Sequence, residues 1–200
     1  MRLIQKLVVV AATLFVGASA WAAPIVINGV KVQETAVVDG VPLQLNGAGT
    51  RIKVVFKLYV GSLYTTKKVS TLEELVAVPG PKRLSMTFVR EIEAGAFGKL
   101  LTRGVEDNVP KSEMSKLVPG LIRMGDIFTK YKVLYPGDVI TIDWIPGTGM
   151  VVTVTAAAKA KGTEQEDPFK EADFYKAIMS IWFGHSPADW KLKDAMLGKE

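Results

Sequence analysis

The stretch Leu45–Tyr64, LNGAGTRIKVVFKLYVGSLY, decides the fold. It opens on Asn46-Gly47-Ala48-Gly49, a polar, glycine-spaced segment of the kind that favours a turn. From Ile52 the even positions are Ile52, Val54, Phe56, Leu58 and Val60, and the odd positions are Arg51, Lys53, Val55, Lys57 and Tyr59. That period of two predicts one long strand with a buried even face and a wetter odd face. Arg51 and Tyr59 share the wetter face, either as part of a solvated side or as the polar anchors of a ligand floor. Eight residues of straight strand cover about 26 Å at roughly 3.3 Å each, so the two meet one head group only if the chain bends or bulges between them.

Upstream, Pro24–Val32 reads as a strand carrying an Asn28-Gly29 turn or bulge, and Asp39-Gly40 marks a hairpin between Glu34–Val38 and Val41–Leu45. Downstream, Val69–Val78 reads as a short helix opened by a Ser70/Glu73 capping box and ended by Pro79-Gly80-Pro81. Arg83–Arg90 alternates as a half-buried strand. Glu93–Asn108 has an amphipathic stripe of Phe97, Leu100, Leu101 and Val105. Lys111–Tyr131 is a second helical region, with a kink or break expected at Pro119-Gly120. Val139–Ile145 and Met150–Thr155 form a hairpin around Pro146-Gly147-Thr148-Gly149, and Ala156–Pro168 reads as an exposed connection. Ala172–Phe183 is helical. A last helix is expected after Ser186 as N-cap and Pro187 at its first position. Strands and helices are segregated. The expected fold class is therefore α+β, a bent, mainly antiparallel β-sheet with helices layered on one face.

At 200 residues, 48% hydrophobic and 22% charged, the chain is long enough for one globular core. Formal net charge is +5, of which Arg2 and Lys6 supply two, leaving +3 without a basic block; nucleic acid is not an expected partner. Arg2 and Lys6 precede an apolar run, Leu7–Gly17, and Ala20-Trp21-Ala22 forms an A-x-A site. Residues 1–22 are thus read as a signal peptide and residues 23–200 as one domain; Ala18-Ser19-Ala20 is a second candidate cleavage site. The apolar run falls short of the ~20 residues of a spanning helix. The expected product is periplasmic or secreted, with no stable membrane anchor after cleavage. There is no cysteine, so disulfide and thiolate chemistry are excluded.

The single histidine, His185, rules out His/His and His/Cys metal sets, and no G-x-S-x-G elbow accompanies it. It reads as a surface turn residue. Asp126 with Asp138, and Glu91 with Glu93, are pairs that ordinary alternation produces. Trp144, Trp182 and Trp190 read as core, because nothing basic is interleaved with them. No cofactor and no metal are expected. Arg51 remains: an arginine beside a glycine-rich segment can hold a carboxylate bidentately, and Tyr59 can add a hydroxyl donor. A mostly apolar pocket with one fixed cation suits a fatty acid or an aromatic acid. On pattern alone, pairing of Arg51 with a structural acid is an equal alternative.

Several motifs in order carry a family resemblance: NGAGTR with FKLYVGSLY, PGPKRLSMTFVREI, DWIPGTGMVVTV and DFYKAIMSIWFGHSPADWKLKDAMLG. Together they resemble the chalcone isomerase-like proteins, in particular their bacterial secreted branch. The resemblance implies an open-faced β-sandwich with a cleft between sheet and helices. In the plant enzymes an arginine, a strand threonine, a tyrosine, an asparagine and a late Thr or Ser close a chalcone into a flavanone. Carried over, these fall on Arg51, Tyr59, near Phe97, near Gly104 and on Ser180. Phe97 has no hydroxyl and Gly104 no side chain, so donors to a developing enolate are missing. Arg51 with Tyr59 is instead similar to the fatty-acid-binding branch.

The resemblance thus implies a ligand set of Arg51, Tyr59, Phe97 and Ser180, holding a small amphipathic carboxylate or phenolic ligand without catalysis. Two alternatives stand beside it. One is an intramolecular lyase or isomerase on a chalcone-like or enone substrate, using Arg51 and Ser180. The other is a structural envelope partner with no small ligand.

Overall fold

The computed structural model describes residues 24–157 and 162–199. The expected leader, residues 1–22, lies outside them. The chain forms β1 (Ile25–Ile27), β2 (Val30–Val32), β3 (Thr35–Val38), β4 (Val41–Lys53), β5 (Phe56–Thr65), α1 (Leu72–Ala77), β6 (Lys82–Phe88), β7 (Ile92–Glu93) and α2 (Ala94–Glu106). It continues with α3 (Lys111–Thr129), β8 (Val133–Leu134), β9 (Val139–Ile145), β10 (Gly149–Ala156), β11 (Gly162–Gln165), α4 (Ala172–Phe183) and α5 (Trp190–Met196).

Seven strands make one antiparallel sheet in the order β11-β10-β9-β6-β5-β4-β3. The α+β class is as the sequence implied. On one face, Tyr59, Leu63, Leu84, Met86, Phe88, Ile140, Ile142 and Val152 pack into a core shared with α2, α3, α4 and α5. The other face carries a smaller cluster of Val32, Val38, Leu43, Val60 and Tyr64, with Ile27 and Val30 of the β1–β2 ribbon against it. Both hairpin signals, Asn28-Gly29 and Asp39-Gly40, form turns with positive φ.

The deciding stretch is not one strand. It folds back on itself at Val54-Val55, with Lys53 and Phe56 paired at the end of the ladder. The period-two pattern ran through the turn, because neither Val54 nor Val55 is a turn residue by type. Positive φ falls on Val54, at 60°, and not on Val55, the sign pattern of a type II′ hairpin that normally has glycine there. The inward positions of β5 are Tyr59 and Leu63, so the odd face expected to be wetter is the one that meets the helices.

Asn46-Gly47-Ala48-Gly49 is not a turn either; it lies inside β4. Its glycines admit α5. A Cβ on Gly47 would overlap the carbonyl oxygen of Ala195, one on Gly49 would lie 2.8 Å from Ala195 Cβ, and one on Gly61 of β5 would lie 3.2 Å from Met196 Sδ. Asn46 locks the approach: its buried Nδ2 donates to Met196 O (2.7 Å) and Val69 O (2.9 Å), and its Oδ1 accepts from Val69 N (2.8 Å).

Other expectations shift for local reasons. The α1 N-cap is Thr71, which accepts from Glu74 N, while Glu74 Oε2 accepts from Ser70 N. The α5 N-cap is Asp189, not Ser186. Helix α3 runs unbroken through Pro119, with Phe174 of α4 packed against Gly120. Part of the expected exposed connection is β11, an edge strand on β10. Trp182 is core, but Trp190 stands largely in solvent.

Candidate functional site

Arg51 from β4 and Tyr59 from β5 are cross-strand partners. The hairpin, together with a register shift between Arg51 and Ile52, brings side by side two residues that a straight strand would hold far apart. The Arg51 Cζ lies 5.9 Å from the Tyr59 ring centroid. Neither is on a wet face: Arg51 is 8% exposed and Tyr59 fully buried.

The Arg51 side chain is a buried cation with an open valence. Its Nε has no hydrogen-bond partner, and no ion pair joins it to a carboxylate among the described residues. The contrast with Arg83 is direct: that guanidinium grips Asp143 through Nε (2.7 Å) and Nη2 (2.6 Å). Among the described residues no carboxylate is ion-paired with Arg51; the acid whose charge reaches the pair is Asp189, at longer range. Asp189, the N-cap of α5, uses its oxygens on the backbone N–H groups of Ile52, Lys191 and Leu192.

Tyr59 is oriented from the helix side. Its hydroxyl oxygen accepts from Trp182 Nε1 of α4 at 2.7 Å. Burial pushes the phenol up from its ordinary value, partly offset by the Arg51 charge and by hydrogen bonds from Arg51 and Trp182. The phenol is thus protonated at neutral pH, and because both of these bonds are accepted by its oxygen it keeps its own proton for an acceptor. A guanidinium N–H beside a phenol O–H is a donor pair for one carboxylate.

Phe97 of α2 joins this group. Its ring meets Tyr59 edge-on at 6.2 Å, Phe88 at 5.3 Å and Phe128 at 5.3 Å, so the neighbourhood of the donor pair is aromatic.

Ser180 does not join it. Two residues before Trp182 on α4, it points about 200° away around the helix. Its Oγ donates to Ala177 O at 2.6 Å. Ser180 instead lines a cavity of about 780 Å³ on the far side of α4, bordered by α1, α5 and the α2–α3 junction. Lys116, Lys176, Lys193 and Lys199 line it, but so do Glu73, Glu113 and Asp173. The four residues of the implied ligand set therefore divide three to one between two places. Gly104 sits against Ile181 Cγ2, where a Cβ would come within 2.8 Å, so no asparagine-like side chain could stand there without moving that helix pair.

The sequence reading missed Trp182 as the partner of Tyr59. The two are 123 residues apart, and an indole on an apolar helix face carries no mark of its hydrogen-bond partner.

A family model described as chalcone isomerase-like matches residues 24–198. The chain belongs to the chalcone isomerase-like family. Among solved structures, this chalcone isomerase-like protein is similar to a fatty-acid binding protein of Arabidopsis thaliana, with 15% identity, 82% of this chain and 96% of that chain covered, and a TM-score of 0.54. At that identity the likeness speaks for the fold. A sequence comparison with curated proteins gives no significant match. The described residues of this family member hold no group of three or more metal-ligating side chains.

Proposed function

We propose that this protein is an exported, non-catalytic binder of a fatty acid or similar amphipathic carboxylate, with the head group held by Arg51 and Tyr59. The observation that carries the reading is the buried Arg51 Nε, with no partner and no ion-paired acid among the described residues. A guanidinium taken out of water without a counter-charge costs several kcal/mol. A carboxylate arriving at Nε would offset that cost and accept the Tyr59 proton as well. The aromatic rings of Phe88 and Phe97 would flank the first carbons of the tail. The fold shared with a fatty-acid binding protein agrees with this chemistry.

Catalysis is disfavoured by where the remaining groups point. Ser180, the second residue of the lyase alternative, faces the other side of α4 and spends its proton on Ala177 O. Phe97 offers no hydroxyl. A developing enolate at Arg51 would meet one phenol and no further donor.

The cavity beside Ser180 supports a second placement of the ligand. Its lining mixes lysines with carboxylates, which suits a single acid head group less well than an uncompensated cation.

Native mass spectrometry of purified protein incubated with oleate tests the reading. One bound fatty acid is expected for wild type, and its loss in Arg51→Ala, with partial retention in Arg51→Lys. Equal retention in Arg51→Ala, together with loss in Lys193→Ala, would move the ligand to the Ser180 cavity. Turnover of a hydroxychalcone above the spontaneous rate, abolished in Arg51→Ala, would instead favour the lyase.

A further inference from the structure

We propose that the β4–β5 hairpin tip docks this protein on an anionic lipid surface. The tip is Val54-Val55-Phe56, residues that are 88%, 75% and 53% exposed. Ile52, also exposed, stands just behind it. Ile52 N donates to Asp189 Oδ2, which brings the start of α5 to the hairpin; the next residue is Trp190, 58% exposed. Five large apolar side chains thus crowd one end of the molecule. Other exposed apolar residues, such as Val37, Val118 and Ile122, stand on other elements.

Cations surround these residues. Lys53 and Lys57 flank the tip on its two strands, and Lys191 follows Trp190. The Arg90 guanidinium lies 4.3 Å over the Phe56 ring, and the Lys193 ammonium lies 5.0 Å from the centre of the Trp190 ring. Among the described residues none of Lys53, Lys57 and Arg90 is ion-paired with a carboxylate. Lys57 donates to Asn28 Oδ1, a neutral acceptor. The acids at this end are Asp189, engaged with three backbone N–H groups, and Glu91 beside Arg90.

The occupant follows from shape and charge together. A protein partner would take a flat patch or a groove of roughly 800 Å² on its side. A two-residue hairpin tip is convex and too narrow for that. Apolar and indole side chains that project from a collar of lysines and arginines match the boundary of a bilayer, where apolar tips enter among the acyl chains and cations meet anionic head groups. No described helix is long and apolar enough to cross a membrane, so the contact is with its surface.

The proposal stands without the fatty-acid reading. Joined to it, the geometry is apt: Arg51 lies three residues behind Val54, about 10 Å of strand from the tip.

Co-sedimentation of the purified protein with phosphatidylcholine vesicles containing about a third phosphatidylglycerol tests it. Binding is expected to exceed that to pure phosphatidylcholine about a hundredfold, from about fivefold for each of Lys53, Lys57 and Arg90, and to weaken as salt rises to about 0.5 M. Val54→Gly combined with Val55→Ser removes the apolar tip while giving the turn its preferred glycine, so the fold is kept; binding is expected to be lost. Lys53→Gln with Lys57→Gln is expected to weaken it roughly 25-fold, about fivefold for each cation. Equal binding to neutral and anionic vesicles, or full binding by the Val54/Val55 variant, would overturn the proposal. So would a concentration-dependent dimer that the same variant abolishes, because the tip would then be an interface between copies.

Discussion

Arg51 and Tyr59 face each other across a hairpin whose two-residue turn is made of valines. That single relationship converts two residues eight apart in sequence into one donor pair. It also buries a cation beside a phenol, with the phenol held by Trp182 from the opposite layer. What each layer contributes to the pair can be tested separately.

The turn is strained. Val54 sits at a φ of 60°, where a β-branched side chain crowds its own backbone. Glycine at this position accepts that geometry without the clash. Val54→Gly is expected to raise stability by about 1 kcal/mol, read as a higher midpoint in urea at unchanged slope. A lower midpoint would show that the valine side chain makes a contact worth more than the strain.

The glycines of β4 act by contact. Gly47→Ala would force a methyl into the carbonyl oxygen of Ala195 and push α5 from the sheet. A loss of about 3 kcal/mol is expected from such overpacking against backbone. Gly125→Ala is the control: it lies inside α3 with nothing within 4 Å of the added atom. There the helix propensity of alanine should add about 1 kcal/mol. Opposite signs in the two variants would separate close approach from backbone freedom.

Burial of tyrosines sets the alkaline limit. Tyr59, Tyr64, Tyr131 and Tyr175 all have phenols pushed up from 10.0, chiefly by desolvation. A raised folded value means the native state keeps protons that the unfolded chain has lost. Stability from these groups is complete below pH 10 and falls as pH rises beyond it. Lys82 and Lys193, both pushed below 10.5 chiefly by burial, act in the opposite sense just below their unfolded value, but they are two groups against four. In a 295 nm titration Tyr59 and Tyr175 should ionise only as the protein unfolds, in one cooperative step above pH 10. Smooth ionisation of all five tyrosines near pH 10 with the fold intact would contradict their burial.

Much of the architecture was legible in the sequence. The Asp39-Gly40 and Gly147-Gly149 hairpins, the α2 stripe and the α4 boundaries carry local signals that tertiary structure did not need to override. The segregation of strands from helices gave the α+β class. The hairpin at Val54-Val55 was hidden because its turn uses residues that read as strand, and the alternation continued across it by chance. Asn46-Gly47-Ala48-Gly49 misled in the other direction. Glycine there answers a helix some 150 residues away, which local pattern does not record. Arg51 and Tyr59 were visible as residue types; their adjacency was not, since it depends on that turn. Ser180 matched the family's position, yet about half a helix turn separates it from Trp182, and Trp182 took the face toward Tyr59.

The claim on which the account rests is that Arg51 Nε is held for an incoming carboxylate. Side-chain NMR of the arginine Nε–Hε signals during an oleate titration measures this directly, with the Arg51 signal assigned by its absence in Arg51→Lys. That one signal should move downfield and saturate at one equivalent, while the signal of Arg83, already bound to Asp143, stays in place. Binding of oleate that leaves the Arg51 Hε signal unmoved would contradict it.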